Sequence, residues 1–368
     1  MTEAQDILFY LLQSSLGTIE AKLDWSAITK SDWQSLIDIS FDQGVAAIAV
    51  DGLQKFYEAN PGLELEIDSE ELEDLKYEWF GEVMQAEDDY SKHCKIVNTI
   101  CQTYIDNGFM PILLKGIGLG LDYPIPTHRI CGDLDIFLAD GKSLEGDMMI
   151  TEMLGAKVTK SKIGHHSHWA YKGLLVENHY ELSNSYFGGE KSRQFERELQ
   201  TLIASDVRKP YEECPYYLPS ANFNAVFLLW HLGTHFCSGE INLKQLCDLL
   251  MFLKCHHSEI DWPKVQRIWK QYGMENFANA IGSVLVKYLA MPEKLIPGMV
   301  YYDAIALRIM DDILTGIKGP RKGFLRILKY PRNAWKYRLV SGRSWIYPML
   351  ESIWMHIAHS GDLVERYI

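Results

Sequence analysis

Asp133-Leu134-Asp135 carries the most chemical content in the chain. Asp133–Leu138 alternates as a strand does, so both carboxylates project from one face while Leu134 and Ile136 turn to the other. Two neighbouring carboxylates repel and raise each other's pKa unless a cation lies between them. Ligands that are all oxygen select a hard ion, magnesium or manganese, over zinc. A pair of such ions can clamp the attacking and leaving oxygens of a phosphoryl or nucleotidyl transfer. Alone, an Asp-x-Asp triplet is equally a solvated strand end, so its surroundings decide.

Upstream, the apolar run Phe109–Leu114 leads into Lys115-Gly116-Ile117-Gly118. Gly116 and Gly118, placed where a strand turns into a helix, let backbone amides approach a phosphate, and Lys115 adds positive charge. The G-x-x-x-x-G-K-[ST] spacing of a P-loop is absent, and a plain tight turn is the competing reading. Arg129 stands four residues before Asp133. It either reaches an anionic substrate or pairs with a carboxylate as a brace. Downstream, Glu177, His179 and Glu181 alternate and are expected on one face. Glu177, flanked by Leu175 and Val176, is the preferred third carboxylate, as metal ligand or as base toward an acceptor hydroxyl. Glu181 is the fallback.

Two histidine groups need separate readings. His231-x-x-x-His235 falls on one helix face at a spacing that suits zinc. Its third ligand would have to come from Asp248 or His256-His257 through folding, and a structural role or a wall of a cleft is preferred. His165, His166 and His168 form the other group. Trp169 and Tyr171 beside them suggest an exposed edge, and no role is assigned.

These residues need a scaffold. Ile7, Leu8, Leu11, Leu12 and Leu16 recur at helical spacing, and Ser31-Asp32-Trp33-Gln34 reads as a capping box opening a second helix that Gly44 ends. Leu72, Leu75, Trp79 and Val83 mark the buried stripe of an otherwise acidic helix. Asp133–Leu138 predicts a strand, Ser143–Leu154 a helix, and His165–Tyr171, Lys172-Gly173, Leu174–Leu182 a hairpin. From Ser220 onward helical spacing returns, with Asp261 before Trp262-Pro263 as an N-cap. The pattern predicts an α+β protein in three parts: helices over 1–105, a small mixed-sheet core over 106–205, and a helical domain over 206–368 closing the other side of a cleft.

Composition narrows the class. The 368 residues are 47% hydrophobic and 23% charged, which is globular rather than disordered. The longest apolar runs fall well short of the roughly 18–20 residues of a membrane span. Glu3 and Asp6 give the N-terminus the wrong charge for a secretory signal. Seven cysteines without a CxxC pair favour neither a disulfide framework nor a thiolate zinc site, so a reduced, cytoplasmic setting is expected. The net charge of −13 argues against a general nucleic-acid coat. The charge is uneven: Glu58–Asp89 holds thirteen acids and one base, whereas Ile313–Leu350 holds nine bases and no acid. Those bases, interleaved with Phe324, Tyr330, Trp335, Tyr337 and Trp345, either stack on RNA or cover a core with their aliphatic stems, and the second is preferred.

Strand, Lys-Gly turn, helix, Tyr-Pro-x-Pro-x-x-Arg and then Gly132-Asp133-Leu134-Asp135-Ile136-Phe137-Leu138 resemble the bacterial family of the DNA-polymerase-β-like superfamily usually described only as uncharacterised nucleotidyltransferases. Asp32-Trp33 through Gly44-Val45, Val176-Glu177-Asn178-His179, Trp230-His231 to His235, Leu246-Cys247-Asp248 and Ile260-Asp261-Trp262 are also similar to that family, so the resemblance runs over roughly 30–290. It implies a nucleotidyltransferase fold that moves a nucleoside monophosphate from an NTP to an acceptor, releasing pyrophosphate. It assigns Asp133 and Asp135 to Mg2+ (or Mn2+), Glu177 to the third acidic position, and Lys115 and Gly116 to the triphosphate side, with Arg129 a helper. Two departures stand out: Ile117 replaces a small or hydroxyl residue, and 16 residues separate Gly116 from Asp133, which makes Pro124–Arg129 an insertion beside the site. The acceptor is a small molecule, a protein or RNA. An inert nucleotide-binding or interaction module and a toxin-type RNA-modifying enzyme are the rival readings.

Overall fold

The apolar stripe beginning at Ile7 is buried along α1 (Glu3–Ser15), which Thr2 and Gln5 cap reciprocally. The computed structural model describes residues 2–19, 30–62, 65–160, 165–183, 189–315, 329–342, 344–346, 349–350 and 353. Helix α2 (Lys30–Asp42) starts upstream of the expected cap, so Ser31 lies inside the helix, where a capping residue with non-helical backbone does not sit. Gly44 ends this segment with φ of 66°, and α3 (Ala46–Ala59) follows. The acidic stretch becomes the first half of α4 (Glu73–Asp106), with Leu75 and Trp79 buried and the Trp79 indole donating to the Ala46 carbonyl at 3.1 Å.

The middle of the chain builds one five-stranded sheet. It contains β1 (Pro111–Leu113), then the short α5 (Ile117–Gly120), β2 (Asp133–Leu138), α6 (Ser143–Leu154), β3 (Thr159–Lys160), β4 (His166–Tyr171) and β5 (Leu174–His179). The spatial order is β1-β2-β5-β4-β3, with β2 and β5 parallel and the other pairs antiparallel. Lys172 and Gly173, with φ of 49° and 91°, make the expected two-residue turn of the β4–β5 hairpin. On one face Leu134, Ile136, Leu138, Trp169, Leu174 and Val176 pack with Val97, Ile100 and Tyr104 of α4 and Ile150 of α6. Alternation leaves Asp133, Asp135, His166, His168, Glu177 and His179 on the opposite face.

Two expectations change here. β4 is not an exposed edge: it lies between β5 and β3, and Trp169 is only 2% exposed because its ring enters the core beneath the sheet. β5 ends at His179, so the alternation that would carry Glu181 to the functional face stops; instead the Tyr180 and Glu181 amides donate to the His165 carbonyl at 3.0 and 3.1 Å.

After the sheet come α7 (Gly189–Ser205), β6 (Val207–Arg208), β7 (Leu218–Pro219), α8 (Ala221–Ser238), α9 (Leu243–His256), α10 (Trp262–Tyr272), α11 (Glu275–Leu289), α12 (Asp303–Thr315), α13 (Lys329–Arg332) and α14 (Ala334–Ser341). Ser220, Asn242 and Asp261 cap α8, α9 and α10 through their side chains. The first and last helical parts share one hydrophobic core, which runs from Ala4 through Trp33, Phe223 and Phe252 to Ile313. Phe9 meets Tyr288 at a ring separation of 5.1 Å, and the Gln13 amide donates to the Tyr288 carbonyl at 2.9 Å.

In the basic segment, Lys318, Arg321, Lys322, Phe324, Arg326 and Arg343 lie outside the described residues. Lys336 is 2% exposed, paired with Asp312 and set over the Phe236 ring, while Trp335 stands edge-on to Phe236 with Arg308 above it. That part of the pattern covers a core. No described helix is long and apolar enough to cross a membrane.

Candidate active site

Parallel register sets Asp135 directly opposite Glu177, and Phe137 opposite His179. Residues so paired project on the same side, so Asp135, Glu177 and His179 converge, with their ligand atoms all within 4.8 Å of one another. Asp135 is 1% exposed. Its Oδ1 takes an ion pair from Lys115 Nζ at 3.1 Å and a hydrogen bond from His179 Nε2 at 2.9 Å, while Oδ2 is buried without a partner among the described residues. Burial alone would raise the Asp135 pKa, but the Lys115 ammonium and the His179 contact hold it far below the usual carboxylate range. Burial and then the Asp135 charge push Glu177 above its ordinary value. Burial works against the Lys115 charge, yet Asp135 and Asp133 raise its pKa overall.

Asp133 is half-buried one pleat earlier on the same face and lines the cleft with Asp135. It stands outside the converging group and makes no side-chain hydrogen bond or ion pair among the described residues. Glu181 is outside that group as well.

The far side of the sheet anchors these residues. Asn178 donates through Nδ2 to Asp147 Oδ1 at 2.7 Å and to the Ser143 carbonyl at 3.1 Å. Ser167 Oγ donates to the same Asp147 oxygen at 2.8 Å, and Ser143 Oγ donates to the His179 carbonyl at 2.9 Å. Helix α6 thereby fixes β5 on one side while Glu177 and His179 work on the other.

Above the sheet, α8 and α9 form the opposite wall of a cleft that encloses about 730 Å³ including its open mouth. Lys115 reaches across it, with Nζ 3.4 Å from His231 Nε2. Gly116 adopts φ of 62°, a region closed to most side chains, and an added Cβ would lie 2.9 Å from Cys131 Sγ. At Gly118 a Cβ would lie 2.7 Å from Leu218 Cδ2, so this glycine permits close packing of α5 on β7. Arg129 is 7% exposed and bound in a fork by Asp248, from Nε to Oδ1 at 3.0 Å and from Nη2 to Oδ2 at 2.7 Å. Tyr123 donates to Asp248 Oδ1 at 2.7 Å. Of the two roles open to Arg129, the brace is the one this geometry displays.

His231 and His235 face each other with ring centroids 4.4 Å apart and line the same cleft. Burial, and then the Lys115 charge, lowers both pKa values, His231 the more strongly. Among the described residues they belong to no cluster of three metal-capable groups. Asp248 is engaged by Arg129 and Tyr123, and His256 by Asp122 and Glu259.

A family model described as uncharacterised nucleotidyltransferase matches residues 29–290, well over half of the chain. The chain belongs to this nucleotidyltransferase family. No curated protein and no solved structure matches it.

Nucleotidyltransferases handle triphosphates with divalent ions held by carboxylates. The donor set here suits such an ion: oxygen ligands on one face, with the buried, unpartnered Asp135 Oδ2 among them. Sequence reasoning missed His165 and His166, which the hairpin brings beside His179, and Lys244, which lines the cleft. The His165-His166 pair was visible in the sequence, but its destination depends on the cross-strand register.

Proposed function

We propose that this nucleotidyltransferase moves a nucleoside monophosphate from an NTP to an acceptor hydroxyl or phosphate and releases pyrophosphate. Asp133 and Asp135, with Glu177 beside them, would hold Mg2+ or Mn2+. The buried Asp135 carboxylate carries the reading: one oxygen is fixed by Lys115 and His179, and the other has no partner among the described residues. A bound divalent ion supplies charge neutralisation on the phosphates and polarises the reacting oxygens.

The chain's own residues supply position. Lys115 and the Gly116 backbone face the triphosphate, and Lys115 can exchange its Asp135 pairing for phosphate oxygens. Glu177 is the group placed to take the acceptor's proton. Arg129, neutralised by Asp248, shapes the wall rather than contributing free charge. His231 and His235 line that wall as neutral rings, which keeps the charge near the phosphates with Lys115. Catalysis of this kind rests on orientation and preorganised charge.

The experiment uses each labelled NTP with Mg2+ in cell lysate and asks which molecule carries label. Label should appear on one acceptor class with the wild type and be lost with an Asp133→Ala, Asp135→Ala double variant. Mg2+-dependent NTP binding that survives the double variant would sink the reading and favour an inert module on the same fold.

A further inference from the structure

The nucleotidyl-transfer reading leaves His165 and His166 without a role and uses only one nitrogen of the His179 ring. Antiparallel register places His166 opposite His179, and the Tyr180 and Glu181 amides tie the His165 carbonyl to the end of β5. The ring centroids of His165, His166 and His179 are 4.6, 5.2 and 5.3 Å apart, and one nitrogen from each lies within 4.8 Å of the others. Imidazoles around a tetrahedral ion, with Zn–N near 2.0–2.1 Å, have centroids roughly 5 Å apart. The spacing already approximates that arrangement.

His179 gives the cluster its direction. Its Nε2 is committed to Asp135, which as an ionised carboxylate only accepts, so Nε2 carries the proton and Nδ1 holds the lone pair. Nδ1 is buried and has no hydrogen-bond partner among the described residues. A buried ring nitrogen left so is costly, whereas a metal-binding histidine characteristically gives its other N–H to a carboxylate. Glu177 stands alongside, with Oε1 3.5 Å from His166 Nε2.

We propose that His165, His166 and His179 form a second metal site, for a borderline transition ion such as zinc, separate from the carboxylate site for a hard ion. Imidazole donors favour zinc, cobalt or nickel over magnesium, so the two sites differ in chemistry as well as in place. An ion here fixes the His179 tautomer and, through it, the orientation of Asp135. The site is a positioning device whose occupancy sets how well the carboxylate face is preorganised.

The test uses the full-length, metal-free protein titrated with Co2+ while excess Mg2+ is present. One equivalent should bind and give the intense visible bands of a tetrahedral centre. Zn2+ should displace it. Affinity should fall about 10-fold or more in His165→Gln and in His166→Gln, and stay within about 2-fold of wild type in Asp133→Asn. Absence of Co2+ and Zn2+ binding by the wild type would overturn the proposal even if a variant misfolds. So would an octahedral spectrum, binding untouched by both histidine changes, or binding lost only with Asp133→Asn, which would place the ion among the carboxylates. None of these readouts depends on NTP turnover, so the two readings can fail separately.

Discussion

His179 on β5 donates through Nε2 to Asp135 on β2 at 2.9 Å, so a histidine on one strand sets the direction of a carboxylate on its neighbour. Lys115 grips the same oxygen at 3.1 Å. The remaining oxygen has no partner among the described residues, and the behaviour of the site follows from how these two contacts hold it.

Lys115→Met should remove Mg2+-dependent NTP binding and destabilise the protein at neutral pH. A buried charge that loses its partner costs about 3–5 kcal/mol. Without the ammonium, folded Asp135 binds its proton more readily than in the wild type. The variant's deficit should therefore shrink on acidification toward the ordinary carboxylate value of 3.8, where protonation removes the uncompensated charge. Urea midpoints of variant and wild type across acidic pH check this; a deficit constant with pH counts against it.

Arg129 and Asp248 form a buried fork, so each single change strands a buried charge that the double change does not. Arg129→Met or Asp248→Leu should cost about 3–5 kcal/mol, and the double variant clearly less than their sum. A double-mutant cycle by denaturation provides the number. Additivity would show that Arg129 is not acting as a brace.

His231 and His235 are held below their ordinary value of 6.5, chiefly by burial. Below that pH the unfolded chain takes up protons that the native state refuses, so both groups make stability fall as pH drops. His128 acts in the opposite sense, because Asp51 and Glu87 overcome its burial and raise its pKa. The contribution of His231 is thus read by difference: His231→Gln should flatten the decline in melting temperature below pH 6.5 relative to wild type.

Asp147→Ala should weaken the site from behind. It strips the acceptor from Asn178 and Ser167, at about 1–3 kcal/mol for each donor left buried. NTP affinity should fall along with stability, because β5 loses its tie to α6. Unchanged affinity at a lowered melting temperature would show that the network supports the fold alone.

The Asp133–Leu138 strand was legible because its alternation is sharp and its apolar residues have no other destination. The Lys172-Gly173 turn and the placing of Glu177 followed from similar local rules. Arg129 could not be resolved, since its partner Asp248 lies 119 residues away and only folding joins them. His165 and His166 looked peripheral because the strand beside them, Thr159–Lys160, is two residues long and carries no periodicity to read. Glu181 was placed by continuing a strand that stops at His179. Lys336 was read within its basic run as covering a core with its stem, but its partners Asp312 and the Phe236 ring, distant in sequence, appear only on folding.

The core joining α1 to α11 has a bearing on biosynthesis. Phe9 is made well before Tyr288, so the part of α1 that meets α11 waits for that partner, while α2 and α3 cover the rest of the helix sooner. Shielding by a holdase, or a slow final docking step, is the natural companion of such a topology. Deleting α1 should then loosen α11 as well, and with it the helical wall that faces the sheet.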